Sequence, residues 1–553
     1  MLERLSHAPV GAHVGRRNFV KGSALATGAF FINTKYSLAA LADEPASPFT
    51  TAWAQPLRFA PYAIPLPAFQ ALDPLPDPAR HQRYDEFAPR HFYNMEVCEE
   101  LVRPHPQLGW SRMSTYEHSV PGVTFMHRYG VPVLCRINNQ LPQVMQGFGS
   151  CDVITHVHNG HHAPESDGFP EDRFAPGTFR DHHWANTYAS GDYREGKGTM
   201  WYHDHCMDFT AQNTYRGLAG FFLLFDHLDS GNELDPNPDA LRLPSGVPDG
   251  KRVRNRFDIP LMFTDRRFNQ AGQLAFDTMN MDGILGDKWL VNGFVQPYFE
   301  VERRKYRFRL LDGGPSRFYD LWFSNGMTFQ VVANDGNLLP APVTAQSVKL
   351  GVAERMDIVI DFSQLPETTT ELFLVNRAEQ VDGRGPTGNV LPMAQSPKLL
   401  KLIIRPDSGI IDTSRVPSML RPRPEMDWPV ARERFWHFGR TNGMWTVNDQ
   451  LFDHNRCDAF CKQGTAEIWH FSTSGGWAHP IHMHCEEPIL LTYKGKPANS
   501  GIWAGRKDVF TLYPGDEMSV YIKFRDWLGR YPMHCHNTVH EDHAMMVRWD
   551  IVP

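Results

Sequence analysis

No stretch of the chain reaches the roughly 18 unbroken apolar residues that a membrane-spanning helix requires, so no span is expected in the mature protein. A basic excess is also missing. The 55 lysines and arginines face 62 aspartates and glutamates, a net charge of -7, whereas binding to a phosphate backbone is carried by neutralising cations; nucleic acid is excluded as an expected partner. Cysteine is sparse, eight in 553 residues, too few for a dense disulfide framework. Cys457 and Cys461 are close enough in sequence to bridge a loop, and Cys98, Cys135 and Cys151 could supply another pair. The 21 methionines are dispersed rather than bunched. The most informative gap is in histidine: there is none between His227 and His437, although the chain carries 26, about twice an ordinary share.

The length predicts three to four domains at about 150 residues each. With 43 glycines and 43 prolines, many turns between short strands are expected, and long helical bundles are not. Residues 12–42 have the form of an export signal: Arg16-Arg17-Asn18-Phe19-Val20-Lys21, an apolar stretch over 22–32, and the small residues Ala40-Leu41-Ala42. The paired arginines resemble a twin-arginine signal, which implies export machinery as a partner and a periplasmic or secreted protein beginning near Asp43. Residues 226–254 and 405–430 are proline-rich and polar, as interdomain linkers are. The charge-rich runs at 251–256 and 302–309 are expected to be linker charge or solvated strand faces.

A phrase recurs. Met356, Ile358, Ile360 and Phe362 alternate with polar neighbours after Glu354-Arg355, and Met518, Val520, Ile522 and Phe524 do so after Asp516-Glu517. Period-two alternation means a strand with one buried face, and its return suggests a duplicated β-domain. The second copy leads into Met533-His534-Cys535-His536, while the first leads into Leu372-Phe373-Leu374-Val375 without histidine. Antiparallel β-sandwiches are predicted, with a metal-free middle region.

The histidines gather in four blocks: Thr155-His156-Val157-His158, Trp201-Tyr202-His203-Asp204-His205, His479-Pro480-Ile481-His482-Met483-His484, and His534-Cys535-His536-Asn537-Thr538-Val539-His540, followed by Met545. Residues i and i+2 of a strand share a face, so each His-x-His pair can aim two imidazoles into one cavity. Eight such nitrogens suffice for a cluster of about three copper ions with positions left for dioxygen. Cys535 must point the other way, where His479, Cys535 and His540, with Met545 as a long axial ligand, make the donor set of blue copper. Zinc favours tetrahedral sets without a thioether.

These blocks resemble the copper signatures of the multicopper oxidases, three-domain cupredoxin proteins that couple one-electron oxidations to the reduction of dioxygen to water. Trp201–His205, Tyr215-Arg216-Gly217-Leu218-Ala219-Gly220, Val291-Asn292-Gly293, Arg304-Lys305-Tyr306-Arg307-Phe308-Arg309 and Ala353-Glu354-Arg355 are similar to the branch of spore-coat laccase, bilirubin oxidase and phenoxazinone synthase. The resemblance implies an all-β fold of three cupredoxin-like Greek-key sandwiches at 43–228, 255–405 and 430–553, and four copper ions. His156 and His482 would hold the type 2 ion; His158, His203, His205, His484, His534 and His536 the type 3 pair; His479, Cys535, His540 and Met545 the type 1 ion. Asp167 and Glu541 stand at the offsets of the family's proton-delivering acids. A small aromatic reductant, a phenol or aromatic amine, is expected to react at an exposed edge of His479 or His540, with Trp477 and Trp503 framing its pocket. Cys206 and Cys485, each following a type 3 position, are expected to be buried and inert. A metallo-oxidase acting on Cu(I), Mn(II) or Fe(II) is an alternative: the dispersed methionines count against Cu(I), whereas Glu486 and Glu487 keep a hard-cation site open. A copper-sequestering or structural envelope protein is a further alternative, although such proteins lose ligands and this chain has all twelve.

Overall fold

The computed structural model describes residues 46–246, 256–406, 409 and 411–553. The expected export signal and most of the run at 251–256 lie outside the described residues. Strands take 41% of the described residues and helices 7%, so the fold is all-β, built as cupredoxin-like β-sandwiches. No helix among the described residues is long and apolar enough to cross a membrane.

Three sandwiches repeat one topology. In one sheet of each, the opening long strand, His91–Val102, Asp258–Phe268 or Val430–Thr441, runs parallel to Val133–Asn139, Lys305–Asp312 or Ala466–Thr473. That strand then pairs antiparallel with Phe179–Trp184, Arg355–Asp361 or Glu517–Lys523. The recurring sequence phrase thus occupies the same sheet position in the second and third sandwiches. The opposite sheets also match. Thr155–His158 pairs with Thr199–Asp204 in the first, Tyr319–Phe323 with Glu371–Asn376 in the second and His479–Met483 with Gly529–Cys535 in the third. All four histidine blocks therefore fall on one equivalent strand pair, which in the middle sandwich carries none.

The sheets are not purely antiparallel, contrary to the expectation from short strands. Every sheet contains one parallel pair, because a Greek-key crossover returns a strand beside one that runs the same way. The expected disulfides are absent too. All eight cysteines are free; Cys457 donates instead to the Ala459 carbonyl oxygen at 3.2 Å.

The run at 302–309 also departs from expectation, since Arg304, Arg307 and Arg309 are buried rather than solvated. Strand register explains it: Arg309 lies opposite Asp357 and Arg307 opposite Asp258, so acids on flanking strands meet both guanidinium groups. Arg309 donates to both Asp258 oxygens at 2.7 Å and to Thr199 Oγ1 at 2.7 Å, and Arg307 reaches Asp357 (2.6 Å) and Asp229 (2.7 Å). Thr199 and Asp229 belong to the first sandwich and its exit segment, so the network ties the first sandwich to the second. Removing one partner of such a network strands a buried charge. Arg309→Ala is expected to lose about 3–5 kcal/mol of stability, read as a lower unfolding midpoint in urea; an unchanged midpoint would mean that the network adds nothing to stability.

Candidate metal centre

The strand pair His479–Met483 and Gly529–Cys535 is antiparallel, with His482 opposite His534 and Ile481 opposite Cys535. Directly opposed residues share a face. One face thus presents His482 and His534, and the other presents His479, Ile481 and Cys535. The matching pair of the first sandwich sets His156 opposite His203, with His158 two residues on and His205 just past the strand end.

The two histidine faces meet. His156 Nε2 lies 3.4 Å from His482 Nε2, His205 Nε2 3.1 Å from His534 Nε2, and His484 Nε2 3.2 Å from His534 Nε2. The His158 ring stacks on His482 at 3.6 Å, and His203 and His536 rings approach to 5.2 Å. All eight are buried. Burial, reinforced by neighbouring imidazoles, pushes His156, His158, His482, His484 and His536 well below the ordinary histidine range, and burial brings His205 down to about 3. Neutral imidazoles with lone pairs converging on one dry space are a donor set for metal.

Outer partners fix which nitrogen faces inward. His156, His203, His482 and His534 donate from Nδ1 to the carbonyl oxygens of Asp167, Asp204, Asp508 and Cys535. His484 Nδ1 donates to Asp167 Oδ2 at 2.7 Å. His158 is reversed: its Nε2 faces Asp508 Oδ2 at 3.3 Å, leaving Nδ1 to turn inward. Glu541 bridges the outer side, 3.1 Å from His534 Nδ1 and 3.5 Å from His205 Nδ1. Burial would raise its carboxyl, but His534 and His205 outweigh this and hold it below the usual range. Asp167, by contrast, is pushed well above it by burial, and its Oδ1 has no hydrogen-bond partner.

On the opposite face, Cys535 Sγ lies 3.4 Å from His479 Nδ1 and 3.6 Å from His540 Nδ1, and the two nitrogens are 3.2 Å apart. The short helix Thr538–Asp542 brings His540 back to the strand end. Met545 follows, buried in the same core cluster as Cys535, and its carbonyl oxygen accepts from the Cys535 amide at 3.0 Å.

The expectation of an exposed imidazole edge is overturned. His479 and His540 are both fully buried, because Trp445 covers them: its ring lies 3.9 Å from that of His540 and 5.4 Å, edge-on, from that of His479. Trp477 packs edge-on against Trp445 at 5.2 Å, and Arg384 and Arg440 lie over its ring. The ring contact of Trp503 is with Tyr493 instead. Glu486 and Glu487 are also committed elsewhere. Glu486 pairs with Arg525 (2.6 Å), and Glu487 pairs with Arg506 and accepts from Asn337 (2.8 Å), so neither offers a free hard-cation site. Cys206 and Cys485 are buried, and burial pushes both thiols up.

Asp508 was invisible to sequence reasoning, since it stands outside every histidine block. Arg355 of the middle sandwich holds it with two hydrogen bonds, 2.7 and 2.9 Å. The middle sandwich is therefore more than a spacer: it supplies the cation that fixes Asp508, whose carboxylate stands behind His158 and whose carbonyl oxygen accepts from His482.

Multicopper oxidase family profiles match residues 267–385 and 427–553. Bilirubin oxidase from Albifimbria verrucaria is 32% identical over 471 residues, which is 83% of this chain and 76% of that protein. The chain belongs to the multicopper oxidases. A laccase from Bacillus subtilis (strain 168) is 27% identical over 544 residues, covering 87% of this chain and 98% of that one. In fold, the chain matches the crystal structure of a laccase from Pediococcus acidilactici Pa5930 with a TM-score of 0.71 at 23% identity, over 94% of this chain and 98% of that one. A Campylobacter jejuni multicopper oxidase described as a metallo-oxidase matches at 0.69 and 18%, over 90% and 95%. This multicopper oxidase is laccase-like, a copper-dependent oxidoreductase with dioxygen as acceptor. The buried imidazoles, converging on one dry space, fit that metal.

Copper binding to a preformed cluster stabilises the folded state alone. The copper-loaded multicopper oxidase is expected to unfold at a higher temperature than enzyme stripped by a chelator, with copper restoring the difference. Identical unfolding temperatures would argue against a binding site in these histidines.

Proposed function

We propose that the multicopper oxidase holds four copper ions and oxidises phenols or aromatic amines while reducing dioxygen to water. The observation that carries this reading is the position of Cys535, between His534 and His536 yet on the opposite face of the strand. His156 and His482 would hold the type 2 ion; His158, His203, His205, His484, His534 and His536 the type 3 pair; His479, Cys535, His540 and Met545 the type 1 ion. When bound, these ions supply one-electron oxidation of the reductant and four-electron reduction of dioxygen. Cys535 provides the covalent path from one donor set to the other, through its own backbone into His534 and His536.

Trp477, half-buried beside Trp445, gives a planar reductant a surface to lie on, and Trp445 lies between that surface and His540. Laccases and a bilirubin oxidase among the relatives support an organic reductant. Cu(I), Mn(II) or Fe(II) oxidation would need acids other than Glu486 and Glu487. The three sandwiches take boundaries near 43–228, 255–405 and 430–553, and the segment 1–42 directs twin-arginine export to the periplasm or beyond.

Asp167 and Glu541 divide the proton work. Burial pushes the Asp167 carboxyl up, and its Oδ1 lies 3.6 Å from His156 Nδ1, while Glu541, held low by His534 and His205, stands behind both. Each acid is thus placed to exchange a proton with the histidines it faces.

Metal analysis of copper-replete enzyme is expected to find four coppers per chain with an intense blue thiolate absorption; one copper, or no blue band, would refute the assignment. Asp167→Asn and Glu541→Gln keep size and remove the exchangeable acid. Each is expected to slow reoxidation of the reduced enzyme by dioxygen about 100-fold in single-turnover mixing, with reduction of the type 1 ion unaltered. Wild-type reoxidation in both variants would remove these acids from the mechanism.

A further inference from the structure

A second thiol and imidazole meet on the first sandwich, where neither belongs to the centre described above. Glu96, Cys98 and Glu100 alternate along His91–Val102 and so share one face of the sheet. The adjoining strand Ser111–Tyr116 pairs with it, Thr115 opposite Cys98, and then turns through Glu117 and His118. Both turn residues are left-handed, at φ 54° and 59°. A two-residue hairpin turn of this kind ordinarily takes Asn-Gly, because side chains beyond Cβ disfavour positive φ. Here Glu117 secures the turn by accepting from the Glu96 amide at 2.6 Å, and the turn lays the His118 ring over the Glu96-Cys98-Glu100 face.

The donors converge. Cys98 Sγ lies 3.3 Å from His118 Nδ1, and that nitrogen lies 2.7 Å from Glu100 Oε1. Ligand atoms around a tetrahedral ion with metal–sulfur and metal–nitrogen bonds of about 2.3 and 2.0 Å sit roughly 3.5 Å apart. The Cys98–His118 separation matches that spacing and the 3.2–3.6 Å within His479, Cys535 and His540, while the shorter His118–Glu100 contact is a hydrogen bond that opens when an ion enters between the two. The other ring nitrogen, Nε2, lies 3.6 Å from Glu96 Oε2, longer than a hydrogen bond, so a small movement of the Glu96 side chain brings its carboxylate to the back of the ring, where such a group orients a metal-bound imidazole. His118 is 58% exposed while Cys98 is buried beneath it, so a fourth position opens to water.

We propose that Cys98, His118 and Glu100 form a binding site for a divalent cation of the Zn(II) class, with Glu96 orienting His118. The ion bonds to the Cys98 sulfur, His118 Nδ1 and a Glu100 oxygen; the Cys98 thiol proton passes to solvent, and the imidazole keeps its single proton on Nε2, toward Glu96. A mixed thiolate, imidazole and carboxylate set suits this borderline ion better than the hard cations that prefer oxygen alone.

Copper-replete enzyme incubated with Zn(II) alone and then passed through gel filtration should retain one zinc per chain beyond its copper. Cys98→Ser should abolish that retention with copper content and blue absorption unchanged, and Glu96→Gln should weaken it about 10-fold. His118→Gln alters only an exposed turn and should abolish retention equally, which keeps the test decisive should Cys98→Ser fail to load copper. No zinc retained by the wild type, or retention by Cys98→Ser and His118→Gln equal to that of the wild type, would overturn the proposal.

Discussion

Everything in the metal centre depends on the alternation of side chains across one strand. Gly529–Cys535 is paired so that His534 joins His482 on the face toward the first sandwich, while Cys535 joins Ile481 and His479 on the face toward its own core. A shift by one residue would exchange the faces and destroy both donor sets together. The strand is held from both sides, by His479–Met483 and by Met546–Val552, and the Cys535 amide is bound by the Met545 carbonyl.

The rest of the molecule brings two such strand pairs face to face and keeps them dry. Equivalent strand pairs of the first and third sandwiches carry the histidines, and the middle one, bare at that position, contributes charge instead. Arg355 reaches Asp508 behind the cluster, while Arg307 and Arg309 hold acids of the second sandwich and groups of the first. Buried charges are costly unless paired, so these contacts specify how the sandwiches dock as much as how strongly.

The histidine blocks, Cys535, and the duplicated strand phrase were legible in the sequence because strand periodicity converts spacing directly into facing. Asp167 and Glu541 were legible by offset, and the structure sets both carboxylates against cluster histidines. What escaped was set by contacts distant in sequence. Trp445 covers His479 and His540 from another strand; the arginines of 302–309 looked like surface charge until register placed Asp258 and Asp357 across from them; Asp508 stands alone in sequence and gains its place only through Arg355. Glu486 and Glu487 failed as a cation site for the same reason, since Arg525 and Arg506 come from elsewhere in the chain to neutralise them.

The central claim is that one strand separates two copper environments and joins them through a single thiolate. The most direct test is Cys535→Ser followed by copper analysis, absorption spectroscopy and oxygen uptake with a dimethoxyphenol. Serine is a poor copper ligand and leaves all eight histidines of the opposite face in place. The blue band and oxygen uptake are expected to be lost, with the coppers held by those eight histidines retained. Loss of all copper, or oxygen uptake at the wild-type rate, would contradict that claim.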